Sequence, residues 1–433
     1  MTTVAYRAAF FHCLRRPESL LDSAAVEYLD DGVLVVTKGC VAALGSASEM
    51  LPGLSTNVNV VDFSGKLIVP GFVDCHVHYP QLDIIASYGE QLLDWLEKYA
   101  FPQEQLFCDR AVAREAAEFF TDELLRNGTT SALVFATVHP QSVDAIFEAA
   151  LKRNMRLIAG KVLMDRNCPA DLSDTATTAY QQSKALIEKW HGRERLSYAI
   201  TPRFALTSSE EQLAAAGRLA TEYPDVYMHT HLAENRTEVG LIAKQFPWSR
   251  SYFEVYDRFD LVRARSVFAH CLHLDDKDLN TLSAKSAAMA FCPSSNLFLG
   301  SGLFDLRAAR NAGIRVGAGS DVGGGTSLNM LHTLGDAYKV LQLQGQSLSA
   351  FEAFYLATLG GAVALDLGDK IGNFVAGKEA DFVVLDDTAT PMTRRRLGMA
   401  GSIAEKLFAL MTLGDDRSVN ATYVAGQKAY PAG

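Results

Sequence analysis

From residue 3 to about 69, short apolar runs are broken by Gly and charged turns. Asp31-Gly-Val-Leu-Val-Val-Thr-Lys38-Gly39-Cys-Val-Ala-Ala-Leu-Gly45 reads as a β-hairpin turning at Lys38-Gly39, and 58–63 reads as a further strand. The pattern then changes. Eight runs, at 71–76, 130–136, 156–163, 196–201, 226–231, 267–270, 288–292 and 315–319, are apolar along most of their length rather than alternating, as strands covered on both faces are. Segments such as 111–126, 179–190 and 210–222 lie between them and read as amphipathic helices. Eight strand–helix repeats predict an α/β chain built on a (β/α)8 TIM-type barrel. From about Gly372 the tail reads as strand again, at 380–385 and 421–425. Both chain ends, 1–69 and 372–433, are therefore expected to form one small β-sandwich-like domain, with 70–371 as the barrel.

The bulk properties narrow this picture. A chain of 433 residues, 48% hydrophobic and 21% charged, exceeds one ordinary domain and can bury a large core. A net charge of −10 without a Lys/Arg run argues against nucleic acid as a partner. Arg394-Arg395-Arg396 is too short to change that and reads as a solvated loop. Seven cysteines, an odd number with no C-x-x-C pair, point to reduced thiols, each a small buried hydrophobe, and to a cytoplasmic setting. Residues 1–14 lack a signal-peptide pattern and no apolar run has the length of a membrane span, so no membrane partner is expected.

Four places carry chemistry, and each follows a predicted barrel strand. In Asp74-Cys-His76-Val-His78, alternate residues share one strand face, so both imidazoles project together, as a zinc site requires. In His229-Thr-His231-Leu-Ala-Glu234, the Glu lies too far along the loop to share that face as a ligand but can reach over a substrate as a proton carrier; His229 reads as packed inside the strand. His270 ends the sixth strand and Asp321 the eighth. Active sites of such barrels sit at the C-terminal ends of the strands, so these residues would face one cavity and could hold one divalent ion. His12, His191 and His332 show no partner at useful spacing, His273 reads as surface, and His139 as pocket rim or solvated loop.

These motifs are similar to those of the amidohydrolase superfamily and, within it, of the guanine deaminases. The superfamily resemblance rests on Gly65-Lys-Leu-Ile-Val-Pro-Gly-Phe-Val-Asp-Cys-His-Val-His78 and Ile371-Gly-Asn-Phe-Val-Ala-Gly-Lys-Glu-Ala-Asp-Phe-Val-Val-Leu385. The closer resemblance rests on Tyr79-Pro80-Gln81, Trp95-Leu96 with Tyr99, Phe101 and Pro102, Thr201-Pro-Arg203-Phe204, Cys292-Pro-Ser-Ser-Asn296-Leu and Ser320-Asp321-Val-Gly-Gly-Gly325. It implies hydrolytic deamination of guanine to xanthine and ammonia, with zinc on His76, His78, His231 and Asp321. It implies Glu234 as proton shuttle, with Asp321 and His270 acting on the water. It places Tyr79, Pro80, Gln81, Arg203 and Phe204 around the purine base and implies a homodimer. Taken alone, Arg203 also reads as a strand-end ion pair and Phe204 as core. Two-metal members of the superfamily need a Lys at the end of strand four; Thr201-Pro202-Arg203 offers none, and Lys161 belongs to the third run, so one ion per chain is expected. The alternatives are deamination of 8-oxoguanine, a pterin or an aminotriazine on the same scaffold, or a non-catalytic assembly barrel. A zinc deaminase of the H-x-E and P-C-x-x-C type is excluded by the missing C-x-x-C.

Overall fold

The computed structural model describes residues 3–431. Sixteen strands run in chain order: β1 (Thr3–Cys13), β2 (Val26–Thr37), β3 (Cys40–Ser46), β4 (Asn59–Pro70), β5 (Phe72–His78), β6 (Thr129–Phe135), β7 (Arg156–Gly160), β8 (Val162–Leu163), β9 (Leu196–Pro202), β10 (Tyr227–Leu232), β11 (Ser266–His270), β12 (Ala288–Phe291), β13 (Arg315–Ala318), β14 (Phe382–Leu385), β15 (Val419–Val424) and β16 (Gln427–Tyr430). They form two sheets.

Both chain ends build the first sheet, in the order β16-β15-β14-β4-β1-β2-β3. The β2–β3 hairpin closes with Thr37 opposite Cys40. Lys38 and Gly39 between them both have positive φ, 57° and 80°, the conformation whose twist suits a two-residue hairpin. Aromatic side chains from the two ends interlock: Phe382 stacks on Tyr423 at 4.4 Å, and Tyr6 meets Phe382 edge-on at 4.9 Å. The tail is not strand alone. Two helices, Pro391–Leu397 and Ile403–Leu413, interrupt it. Thr390 and Ser402 cap their first turns, and Leu407, Leu410 and Met411 give the second a buried stripe at helical spacing. The Arg394–Arg396 triplet is exposed, but it occupies the last helical turn, where positive charge favours the helix dipole, rather than a loop.

The second sheet is the barrel, ordered β13-β12-β11-β10-β9-β7-β6-β5, with β8 beside β9. From β7 round to β13, neighbouring strands pair in parallel. Asp321 N donates to His76 O at 2.8 Å and His78 N to Val322 O at 2.8 Å, which ties the segment after β13 back to β5. The third apolar run is split into β7 and β8. A Cβ on Gly160 would lie 1.7 Å from Ala199 O, so the backbones approach as only glycine permits, and the strand resumes past the buried Lys161. The expected helices stand at Arg110–Arg126, Ala176–Trp190 and Glu210–Glu222.

The chain divides into two compact units: Met1–Asp74 with Asp122–Ser131 and Asn329–Gly433, and Cys75–Thr121 with Ala132–Leu328. The expected joins at 69/70 and 371/372 fall inside the first. None of the seven cysteines forms a disulfide; four are buried, Cys40 and Cys168 are half-buried, and Cys108 is exposed, so not every cysteine is the core residue expected. His12, His191 and His332, expected to lack partners, each face a carboxylate: Glu27 at 2.8 Å, Asp225 at 3.1 Å and, four residues on along the same helix, Asp336 at 3.6 Å.

Candidate active site

The four strand-end positions meet in the second unit. His76 and His78 leave β5 on one face, His231 comes from β10, His270 ends β11, and Asp321 follows β13. His270 and Asp321 have φ of 70° and 50°, a left-handed conformation that costs a non-glycine residue about 1–3 kcal/mol and that surrounding structure must hold. It aims both side chains across the strand ends.

His78 Nε2 lies 3.2 Å from His76 Nε2 and 3.1 Å from His231 Nε2. Asp321 Oδ1 lies 3.0 Å from His76 Nε2 and 3.4 Å from His78 Nε2. Four donors on a tetrahedral ion at about 2.0–2.1 Å stand roughly 3.3 Å apart, so this spacing fits a shared cation. Ligand atoms of His76, His231, His270 and Asp321 also lie within 4.8 Å of one another.

The outer nitrogens decide which atoms face inward. Arg203 O can only accept, so His231 Nδ1, 2.7 Å away, carries the proton and Nε2 the lone pair. His270 Nδ1 likewise donates to Asn296 Oδ1 at 2.8 Å, and its buried Nε2 takes no hydrogen bond among the described residues. His76 Nδ1 stands 2.7 Å from Nε2 of the fully buried His229, so His229 backs a site residue rather than merely filling the strand. Burial holds the imidazoles neutral: His78 falls to about 4, and His229 and His231 fall well below the usual histidine range.

A small cavity opens beside this cluster. Trp95, Leu96 and Leu299 form apolar walls, while Gln81, Arg203 and Glu234 bring polar groups. Phe204 also lines it. Tyr79 and Pro80 do not. The Tyr79 hydroxyl donates to Ser142 O at 2.7 Å, and the two residues begin the turn Tyr79–Ile84 that carries Gln81 to the cavity. His139 is absent from the lining too and precedes the helix Pro140–Lys152.

Glu234 is 3% exposed. Burial first, then the nearby Asp321 charge, raises its pKa to about 8. Its Oε1 accepts from Ser301 Oγ at 3.0 Å, and its Oε2 stands 3.3 Å from His270 Nε2. Sequence reading missed two buried carboxylates. Glu104 accepts from Arg203 Nη1 at 2.6 and 2.9 Å and from Gln81 Nε2 at 2.8 Å. Glu238 Oε2 accepts from the backbone N–H groups of Glu234 at 3.0 Å and Asn235 at 3.1 Å. Spacing could have marked Glu238 as a capping-box residue three after Asn235; nothing local marks Glu104.

The model of the amidohydrolase family matches residues 67–429. The chain belongs to the amidohydrolase family. Members are metal-dependent, in keeping with the His and Asp cluster. Guanine deaminase of Escherichia coli (strain K12) is 54% identical to this amidohydrolase over 432 residues, covering 99% of this chain and 98% of its own. The solved structure of E. coli guanine deaminase superposes with a TM-score of 0.97 at 53% identity over 99% of each chain. A guanine deaminase from C. acetobutylicum, solved with guanine bound in its active site, superposes with a TM-score of 0.88 at 28% identity, covering 99% of this chain and all of that one. No helix among the described residues is long and apolar enough to cross a membrane.

Proposed function

We propose that this amidohydrolase hydrolyses guanine to xanthine and ammonia, with one zinc ion per chain held by His76, His78, His231 and Asp321. One observation carries the reading: a cage of His and Asp ligand atoms opens onto a slot with apolar walls, with Arg203, Gln81 and the buried carboxyl of Glu234 on it. Homology to guanine deaminases over the full chain supports the substrate. A homodimer working in the cytoplasm extends the same reading and rests on that resemblance.

His76, His78, His231 and Asp321 would hold the divalent ion, which when bound would supply Lewis acidity and lower the pKa of water from 15.7 to about 7. The side chains divide the remaining work. Asp321 turns Oδ1 to His76 and His78, which leaves Oδ2 to take a proton from the attacking water. His270, with its Nδ1 proton given to Asn296, offers Nε2 as an acceptor that orients the water. The water oxygen bonds to C2 of the base. Glu234 has Oε1 engaged by Ser301, so its proton sits on Oε2 and passes to the ring nitrogen beside C2. The proton held on Asp321 then passes to the amine, the C2–N bond breaks so that ammonia leaves, and the new hydroxyl returns a proton to Glu234 as it becomes the carbonyl, with no change of oxidation state. Arg203 donates to the ring carbonyl, Gln81 meets the purine edge, and Phe204 packs on the ring.

The purified zinc-loaded protein should convert guanine to xanthine with release of ammonia, followed by ultraviolet absorbance. A chelator should abolish turnover and zinc restore it. Turnover of 8-oxoguanine, a pterin or an aminotriazine but not of guanine would replace the substrate. Inactivity on all of them with zinc bound would sink the reading.

A further inference from the structure

Glu104 lies on the short helix Phe101–Gln105, is 1% exposed, and is absent from the cavity lining. It nevertheless grips both polar side chains assigned to the base. Both of its oxygens accept from Arg203 Nη1, at 2.9 and 2.6 Å, and Oε1 also accepts from Gln81 Nε2 at 2.8 Å. Arg203 is held in turn over the Phe101 ring, 5.3 Å from its centroid and three residues before Glu104. We infer that Glu104 is a specificity-determining positioning residue, which orients Gln81 and Arg203 and cancels the Arg203 charge so that the pocket takes a neutral lactam base and releases its more acidic product. The inference rests on the guanine deaminase reading above.

The orientation follows from donor and acceptor chemistry. A carboxylate only accepts, so Gln81 must turn its nitrogen toward Glu104. The amide oxygen faces Gly323 N at 3.3 Å with a lone pair to spare. Gln81 therefore presents an acceptor, suited to a ring N–H. Arg203 spends Nη1 on Glu104 and keeps its other N–H groups for a carbonyl. The pocket thus reads one acceptor and one donor set, the pattern of a lactam N–H beside its C=O.

The charge argument is independent of that pattern. The Arg203 side chain is 3% exposed, and a buried guanidinium left unpaired would attract anions strongly. Hydrolysis replaces the amine by a second ring carbonyl, and the pyrimidine ring that carries it gives up a proton more readily than the substrate's ring. A pocket with unpaired Arg203 would hold that anion. With Glu104 against the guanidinium, the anion gains no such advantage and leaves.

Two substitutions separate the inference from a merely structural role. Glu104→Gln removes the charge and frees the Gln81 amide to turn. The KM for guanine should rise, the inhibition constant for xanthine should fall, and the ratio of the two should grow about tenfold or more, increasingly as pH rises and xanthine ionises. Glu104→Asp keeps the charge but draws the carboxylate back one methylene. Its KM for guanine should rise without tighter xanthine inhibition. A Glu104→Gln ratio unmoved across pH overturns the inference, as does a Glu104→Asp enzyme with wild-type KM; the second result decides the matter if Glu104→Gln does not fold. Wild-type protein that fails on guanine overturns the parent reading instead, so the two failures are distinct.

Discussion

At the scale of single residues, the site works because each group has one atom committed elsewhere. His231 gives its outer proton to Arg203 O and His270 gives its own to Asn296, so their inner lone pairs are fixed before any ligand arrives. Glu234 gives Oε1 to Ser301 and keeps its proton at neutral pH. Its pKa, raised from 4.5 to about 8 by burial and the Asp321 charge, sets the sign of the pH dependence. The proton donor is present below about pH 8 and lost above it, so kcat/KM should fall as pH rises through that value. Glu234→Gln cannot donate, should lose about 10²–10⁴-fold in kcat, and should still bind zinc; near-normal turnover in that variant would take Glu234 out of the mechanism. The same shift carries a stability consequence. Between about pH 4.5 and 8 the unfolded chain releases a proton that the folded one keeps, so this group makes folding progressively less favourable as pH rises through that window. The thermal midpoint of Glu234→Gln, measured against wild type, should therefore gain more at pH 8 than at pH 5. An equal difference at both would mean that burial does not govern this carboxyl.

At the scale of elements, the loop after β10 is fixed by the helix it enters, Arg236–Gln245. Asn235 caps that helix at Thr237 N, while Glu238, fully buried, reaches back to the N–H groups of Asn235 and Glu234. One side chain therefore anchors the helix start and the backbone of the proton donor. Glu238→Ala would leave both N–H groups buried without a partner, at about 1–3 kcal/mol each, and let Glu234 drift. Its thermal midpoint and its kcat should fall together, and Glu238→Gln, which keeps an acceptor oxygen, should recover more stability than Glu238→Ala; full activity in Glu238→Ala would show that the cap does not place Glu234. This element also shows what the sequence makes legible. The β2–β3 hairpin, the helix Glu210–Glu222 and the histidines at strand ends are written in local pattern: a Lys-Gly turn, apolar spacing, alternation on a strand. Glu104 is not, because its partners are 23 and 99 positions away and its own helix has only five residues. The break between β7 and β8 was hidden as well, since it comes from Ala199 pressing on Gly160, a contact between strands. The tail helices were obscured by the flanking strands β14 and β15, whose apolar runs dominate that stretch.

At the scale of the whole molecule, the proposed ligands come from three distant parts of the chain: positions 76 and 78, 231, and 321. One ion would bind them all, closing long loops around the same point where Asp321 N meets His76 O. Binding that favours the folded state stabilises it by RT ln(1 + [L]/Kd), about 2.7 kcal/mol at a free ligand concentration of 100 Kd. The thermal midpoint should therefore fall on chelation, return on adding zinc, and climb with the logarithm of free zinc. The stoichiometry is a sharper test. A second ion would need a bridging group on strand four, where Thr201, Pro202 and Arg203 stand. Lys161, the lysine near that height in the barrel sequence, is 0% exposed and ion-paired through Nζ to Asp174. That pairing leaves it engaged away from the cage, and moving it would strand Asp174 as a largely buried carboxylate without its partner. Metal analysis of the protein purified with excess zinc should give one tightly held ion per chain. Two ions, or a midpoint indifferent to zinc, would mean that the cage of His76, His78, His231 and Asp321 is not the centre about which this barrel is organised.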